Sequence, residues 1–545
     1  GLGRNGRLRG PRSPGDEGAA AIAPRLLTAR LVGPPRRNRT YTWIRAPSWS
    51  IVVRDSADAA RRQVDSPSGM TGSDAPVSQV LLITVDSLRA DAIGPYDERR
   101  LTPVLDGLAD RGTVFDRAFA TGNWTPFSFP SILASQPVFQ ETGRIGVENV
   151  RSLPEVLSAA GVSTAGFNAA NGFLTSHWGY DQGFEEFESF VASVGSGPYS
   201  RYLARHPTVE AWVQLATAPL RRARSWLTGH TDERPFLDSS RMFDVEQAAI
   251  DRFECADGPQ FVWVHYMDTH TPYVPAPRYI RAVSDGRIGT HRMLHAHTRT
   301  GLGREVGPST LADLQLLYQA AVRQVDASIG RLLSALESQG LREETAVIVA
   351  GDHGEEFQEH GHLAHYPKLY DELIHVPLLV ALPGESPERI AEPIGLDAIP
   401  PTVGDLLGVE PAGTWAGRSV APSLETGRIE SPEPVVSVTV RGETVTSQPI
   451  PRSLSEGDLL VSVRDRDWTY IENLADGSVE LYHRPTDPTQ QTDLAATAGM
   501  EEQAVLDRFG EIAAAHAQTL QESNGEIEAD ATADLETRLE ALGYR

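Results

Sequence analysis

Three short apolar runs in this 545-residue chain end in residues able to hold a cation or an anion. Val80–Val85 is followed by Asp86, Phe261–Tyr266 by Asp268 and His270, and Ala346–Ala350 by Gly351 and then Asp352-His353. Carboxylate oxygens and imidazole nitrogens are ligands for hard and borderline dications. Imidazole is also the side chain whose charge changes near neutral pH, so it can carry a proton in catalysis. One Asp after a strand is ordinarily a turn or cap residue. Three such strand ends point to a shared crevice, because open α/β sheets bind ligands at the carboxyl ends of their strands. A fourth segment, Asn123–Leu133, contains Thr125-Pro126. That pair predicts a helix start with Thr125 as N-cap and proline in the first helical position. Its hydroxyl would then stand beside free backbone N–H groups, where an anion is favoured.

These residues need rigid elements behind them. Val80–Asp86, Val162–Phe167, Phe261–Tyr266, Ala346–Ala350 and Val376–Leu382 read as strands buried on both faces. Helical spacing of apolar residues marks Leu101–Arg111, Leu153–Ala160 and the long Leu311–Gln339, which Gly340 closes. Alternating strands and helices predict an α/β domain, a large, mostly parallel or mixed central sheet with helices on both faces, over residues 76–416. A Pro-, Gly- and Ser-rich stretch, 417–434, reads as a linker. Val435–Val445 and Leu459–Asn473 then alternate as strands, and Glu501–Gln521 reads as an amphipathic helix. Together they form a small C-terminal α+β subdomain over 435–522. Residues 1–75 read as a disordered N-terminal extension and 523–545 as an acidic tail. The region of about 190–255 is an insertion without motifs.

In order along the chain, the motifs resemble the sulfatase branch of the alkaline phosphatase superfamily. The matching segments begin with Leu82-Ile-Thr-Val-Asp-Ser-Leu-Arg-Ala-Asp91, followed by Leu101–Phe115 and Gly179–Phe184. Next come His265-Tyr-Met-Asp-Thr-His-Thr-Pro-Tyr273, Gly351-Asp-His-Gly-Glu355 and Leu369–Pro377, and finally Trp468–Ile471, Glu480–Tyr482 and Leu542–Tyr544. The resemblance implies an alkaline-phosphatase-like fold and a hydrolase of sulfate esters, or of phosphate or phosphonate esters. It implies one divalent metal (Ca, Mn, Mg or Zn) held by Asp86, Asp352 and His353, with Thr125 as a further ligand. Ser87 stands where many relatives carry a second Asp, which leaves fewer charged ligands. By the same resemblance His270 contacts the anionic group or protonates the leaving oxygen, and His365 and Lys368 are candidate substrate contacts. Sulfatases usually place Cys or Ser, oxidised to formylglycine, before x-Pro-Ser-Arg. Here two registers compete. Ser128-Phe-Pro-Ser copies the motif but Ile132 replaces its Arg, whereas Thr125-Pro-Phe-Ser keeps the family's spacing to Leu133-Ala-Ser135. Threonine cannot become formylglycine, so Thr125 would attack directly, as in phosphodiesterase- and phosphoglycerol-transferase-like members. A catalytically silent, anion-binding module of the same family is the reading from another class.

Composition narrows the partners. Forty-eight Arg and a single Lys, Lys368, face 73 carboxylates, giving a net charge of −24. Residues 1–69 carry 13 Arg and 5 carboxylates, a net +8, which leaves −32 for the rest. So acidic a body repels nucleic acid and anionic membranes and argues against binding phosphate backbones over a wide surface, whereas the partner the resemblance implies is a small-molecule anionic ester. Such a lysine-poor, acidic bias matches a salt-adapted protein; an Arg-favouring, GC-rich genome produces it too. With one cysteine, Cys255, no intrachain disulfide or cysteine-rich metal site is possible. No run reaches the ~18 apolar residues of a membrane span. Arg36-Arg37 precedes no apolar stretch of signal-peptide length, so the expectation is a cytoplasmic protein. Oligomeric state is not legible.

Overall fold

The computed structural model describes residues 77–523 apart from 141–142, 149, 191–240, 256–257, 285–287, 289, 302–304, 385–386 and 443–450. The expected N-terminal extension and acidic tail, and most of the 190–255 insertion, lie outside the described residues. Fifteen strands follow in chain order: β1 (Gln79–Val85), β2 (Thr113–Phe119), β3 (Ser163–Asn168), β4 (Glu186–Glu188), β5 (Gln260–Tyr266), β6 (Thr345–Gly351), β7 (Glu356–Phe357) and β8 (Leu363–Ala364). After these come β9 (His375–Val376), β10 (Leu378–Ala381), β11 (Glu388–Gly395), β12 (Val435–Arg441), β13 (Asp458–Arg464), β14 (Trp468–Asn473) and β15 (Ser478–His483).

Nine strands form one sheet in the order β11-β2-β10-β6-β1-β5-β3-β4, with β9 also pairing β2. The pairs β6/β1, β1/β5, β5/β3, β3/β4 and β11/β2 are parallel, while β10 runs antiparallel between β6 and β2. It is therefore mixed, as expected, and its three central strands all end at one edge. Side chains of a strand alternate between faces, and here both faces are apolar. Val80 and Leu82 of β1, with Phe261 and Trp263 of β5 and Ile348 of β6, face one core. Leu81, Ile83 and Val85, with Val262, Val264, Val347 and Val349, face the other. The long helix Pro308–Gln339 covers the second face, contributing Leu314, Leu317, Val325, Ile329, Leu332 and Leu336. The helix Thr125–Ala134 covers the first. It is buried on every side, which a helix apolar all round requires.

Beyond the central domain, β12–β15 form a four-stranded antiparallel sheet backed by the helix Met500–Ser523. Its residues Val438, Val440, Val461, Val463, Leu481 and Phe509 belong to the same apolar cluster as Phe127, Ile390 and Leu396 of the central domain. The stretch expected as a linker contains a short helix, Ala421–Thr426. It is held to the central domain by Gly417 N donating to Ser135 Oγ (2.9 Å) and Val420 N to Thr402 Oγ1 (3.0 Å).

Candidate active site

β1 stops because Ser87 takes a left-handed backbone conformation (φ 55°), which turns the chain away directly after Asp86. Serine adopts that region only at a cost, and the surrounding bonds hold it there. Ser87 N donates to Asp352 Oδ1 (3.0 Å) and its hydroxyl to Asp86 Oδ1 (2.8 Å). The tips of β1 and β6 are thereby stitched together. At β6 the chain passes through Asp352, His353 and Gly354. A Cβ on Gly354 would lie 2.0 Å from the Glu372 carbonyl oxygen, so no other residue fits there.

The helix Thr125–Ala134 delivers the hydroxyl. Trp124, not Thr125, is its N-cap and Pro126 is its second residue. Thr125 is thus the first helical residue, and its side chain is free to point away from the helix. Its Oγ1 donates to Asp86 Oδ2 (3.2 Å) and lies 3.4 Å from His353 Nε2. Nδ1 of His353 meets the Gly354 carbonyl at 2.9 Å, so the proton resides there and Nε2 presents a lone pair. That nitrogen stands 3.8 Å from both Asp86 Oδ1 and Asp352 Oδ2. Asp86, Thr125, Asp352 and His353, the four residues expected to converge, do converge, and all are buried.

Electrostatics differ sharply between the two carboxylates. Burial opposes ionisation of Asp86, yet the positive charge of nearby His270 holds it far below the usual carboxylate range. Burial and the adjacent Asp86 push Asp352 up to about 8. Burial keeps His353 below its ordinary value and therefore neutral, the form that ligates metals. Asp352 Oδ2 and the Nε2 of His265 are buried without a hydrogen-bond partner. Orphaned acceptors facing two carboxylates and an imidazole lone pair are what a dication would satisfy. The donor set therefore fits the implied metal.

Two residues of the site were not among those expected there, although His265 opens one of the segments that carry the resemblance. His265, within β5, brings its Nε2 to 3.8 Å from Asp86 Oδ2 and joins Asp86 and Asp352 in one group of close ligand atoms. Asn171 donates its amide to Asp86 Oδ2 (3.1 Å) and to Thr125 Oγ1 (3.4 Å). Its other amide atom accepts from Phe173 N (2.9 Å), which fixes the amide's orientation. Asn168, at the end of β3, braces this loop by donating to the carbonyls of Asn171 and Leu174 (2.9 and 2.8 Å).

Around the mouth, the His365 ring lies 5.1 Å from that of His353 and 5.0 Å from that of His270. His353 is buried, whereas His365 and His270 are half-buried. Three imidazoles thus lead from solvent to Thr125. Glu355 accepts from the Tyr273 hydroxyl and faces His365 Nδ1 at 3.2 Å. The Gly-Glu-Glu sequence suggests a solvated loop, but both glutamates are fully buried, because each carboxylate has partners there. Glu356 accepts from the backbone N–H groups of His360 (3.0 Å) and His362 (2.7 Å).

Other candidates lie elsewhere. Ser128 is buried in the helix with its hydroxyl donated to the Gly122 carbonyl (2.8 Å), one turn past Thr125. Lys368 Nζ lies 3.4 Å from Glu356 and donates to the His360 carbonyl. Asp268 accepts from Gln324 (2.8 Å). Cys255 caps the helix Met242–Glu254 and is exposed. Among the described residues no helix is long and apolar enough to cross a membrane.

Comparison with known proteins agrees with this geometry. The family model described as Sulfatase matches residues 78–409, more than half of the chain. Choline-sulfatase of Rhizobium meliloti (strain 1021) is 24% identical over 465 residues, spanning 80% of this chain and 86% of that one. Phosphonate monoester hydrolase of Agrobacterium radiobacter has a similar solved structure, with a TM-score of 0.59 at 19% identity, covering 81% of this chain and 96% of that chain. A protein solved with its substrate D-glucosamine-2-N,6-O-disulfate gives a TM-score of 0.60 at 17% identity, over 83% of this chain and 100% of that chain. The chain belongs to the sulfatase family and is a sulfuric-ester-hydrolase-like enzyme of the alkaline phosphatase superfamily.

Proposed function

We propose that this protein hydrolyses sulfate esters, or the related phosphate or phosphonate esters, with Thr125 as nucleophile and a divalent ion held by Asp86, Thr125, Asp352 and His353. The observation that carries the reading is the approach of Thr125 Oγ1 to Asp86 (3.2 Å) and His353 (3.4 Å) at the start of a buried helix. A dication bound among these groups would supply positive charge favouring the ionised hydroxyl and offsetting charge on the ester oxygens.

The chain's own groups divide the remaining work. Asn171 and Asp86 set the rotamer of Thr125, whose proton leaves to solvent. Attack forms a bond from Thr125 Oγ1 to sulfur or phosphorus while the bond to the leaving oxygen breaks. His270 or His365, on the open side, gives that oxygen its proton. Water then cleaves the threonine ester and restores the hydroxyl. A branched Cβ bars formylglycine at Thr125, which supports phosphate mono- and diesters and phosphonates as substrates alongside sulfates. A phosphonate monoester hydrolase among the structures of similar fold supports including phosphonates among the candidates.

Turnover of p-nitrophenyl sulfate, phosphate and bis-phosphate esters, with Mn or Ca, tests the reading. Thr125→Ala and Asp352→Asn should each lose at least roughly 10³-fold in kcat with Tm unchanged. Thr125→Ser should retain measurable turnover, and Ser128→Ala should stay within about twofold of the native enzyme. Full activity in Thr125→Ala removes the proposal.

A further inference from the structure

We propose that His265 is an additional metal ligand, so that two imidazoles, two carboxylates and the Thr125 hydroxyl select a transition-series dication over calcium. The inference rests on the metal reading above and extends it to a residue that reading leaves out.

The argument starts with the register of the sheet. Thr84 of β1 pairs with His265 of β5, and Leu82 with Trp263, so Thr84, Trp263 and His265 share one face. Trp263 Nε1–H donates to Thr84 Oγ1 (2.9 Å), and that oxygen lies 2.9 Å from His265 Nδ1 and 3.4 Å from the Val264 carbonyl. A hydroxyl has one proton and two lone pairs. All three contacts are met only if Thr84 accepts from Trp263 and from His265 Nδ1–H and donates to Val264. The His265 proton is therefore on Nδ1, and Nε2 carries a bare lone pair.

The opposite tautomer fails on satisfaction. It would place a buried N–H where no acceptor lies within hydrogen-bond distance, since Asp86 Oδ2 is 3.8 Å away. The ring is locked as well, because Phe129 packs edge-on against it with centroids 5.1 Å apart. A fully buried nitrogen lone pair, oriented by a hydrogen bond through its other nitrogen, is the usual arrangement of a histidine that ligates a metal. It faces Asp86 Oδ2 and belongs with Asp352 to one group of atoms within 4.8 Å. His353 offers its own Nε2 to the same two carboxylates. Two nitrogen donors suit zinc, iron or manganese better than calcium, which takes oxygen ligands.

X-ray absorption at the zinc edge of the zinc-loaded full chain counts the imidazoles directly. Two in the native protein and one in His265→Asn are expected; the asparagine amide reproduces the Nδ1–H donor to Thr84 but offers nothing at Nε2. Titration should show zinc or manganese binding weakened roughly 10- to 100-fold in His265→Asn, with calcium binding changed less than about twofold. His265→Gln, which restores an atom near the Nε2 position, should recover part of the zinc affinity. One imidazole in the native spectrum overturns this inference and leaves the four-ligand site standing. Failure of the native chain to bind any of the three ions overturns both, and the native spectrum decides even if a variant does not fold.

Discussion

At the scale of single residues, Asn171 and Glu355 show how positioning is built from bonds that only the folded chain discloses. Asn171 contacts both the hydroxyl and the carboxylate that hold each other, so Asn171→Ala should leave Thr125 free to rotate. A nucleophile displaced by about 1 Å loses on the order of 10²-fold in rate. The expected outcome is a fall of that size in kcat with KM within about threefold, measured on p-nitrophenyl esters; a change in KM alone would make Asn171 a substrate contact instead. Glu355 fixes His365 as a carboxylate fixes the imidazole of a catalytic triad. Glu355→Gln should lower kcat by roughly 10- to 100-fold while metal stoichiometry, read by mass spectrometry, stays the same. What the sequence revealed at this scale followed from chemistry at strand ends. Asp86, Asp352 and His353 stand immediately after apolar runs and are conspicuous. His265 lies inside such a run, where a histidine looks like one more buried residue, and Asn171 lies in a loop of mixed small and apolar residues. Only the register of β1 on β5 and the return of the loop after β3 bring them to the site.

At the scale of elements, the strands buried on both faces were legible and the edges were not. Continuous apolar runs identify β1, β3, β5 and β6, because parallel strands covered on both sides tolerate little else. β2 hides behind Asp116-Arg117 and β11 behind Glu392-Pro393, both toward one edge of the sheet. The antiparallel insertion of β10 between β6 and β2 has no local signature at all. Equally illegible was the tie between the central domain and the C-terminal sheet. Asp371 receives Arg484 (2.7 Å) and Arg464 (3.4 Å), and Gln490 donates to it at 3.0 Å. Burial opposes its charge, but Arg484 and Arg464 hold its carboxyl down at about 2, against an ordinary 3.8. A depressed folded value means the unfolded chain binds the proton more readily. The contribution is present above about pH 4 and is lost as pH falls towards 2. Its size is about 2 kcal/mol. Urea unfolding of the native chain and Asp371→Asn should differ by that amount at pH 6 and converge near pH 2, whereas a constant difference would mean that charge is not the cause.

For the whole molecule, the decisive fact is that two sheets share one apolar cluster. Val438, Val440, Val461, Val463, Leu481 and Phe509 pack in the cluster that contains Phe127 of the helix bearing Thr125 and Ile390 and Leu396 near its edge. Fully burying one such side chain stabilises a fold by about 1.5–3 kcal/mol. Stripping the second sheet away withdraws six of these and bares their partners, on the order of 10 kcal/mol, comparable to the entire stability of a typical domain. The C-terminal sheet is therefore a wall of the catalytic domain and not an appendage. A chain ending at Pro434 should not fold into an active enzyme, and the full chain should melt in one calorimetric transition in which the calorimetric and van't Hoff enthalpies agree. Loss of activity should coincide with that transition, since the helix presenting Thr125 is packed from both sides. A soluble, cooperatively melting chain ending at Pro434 with native turnover would show that the shared cluster is dispensable.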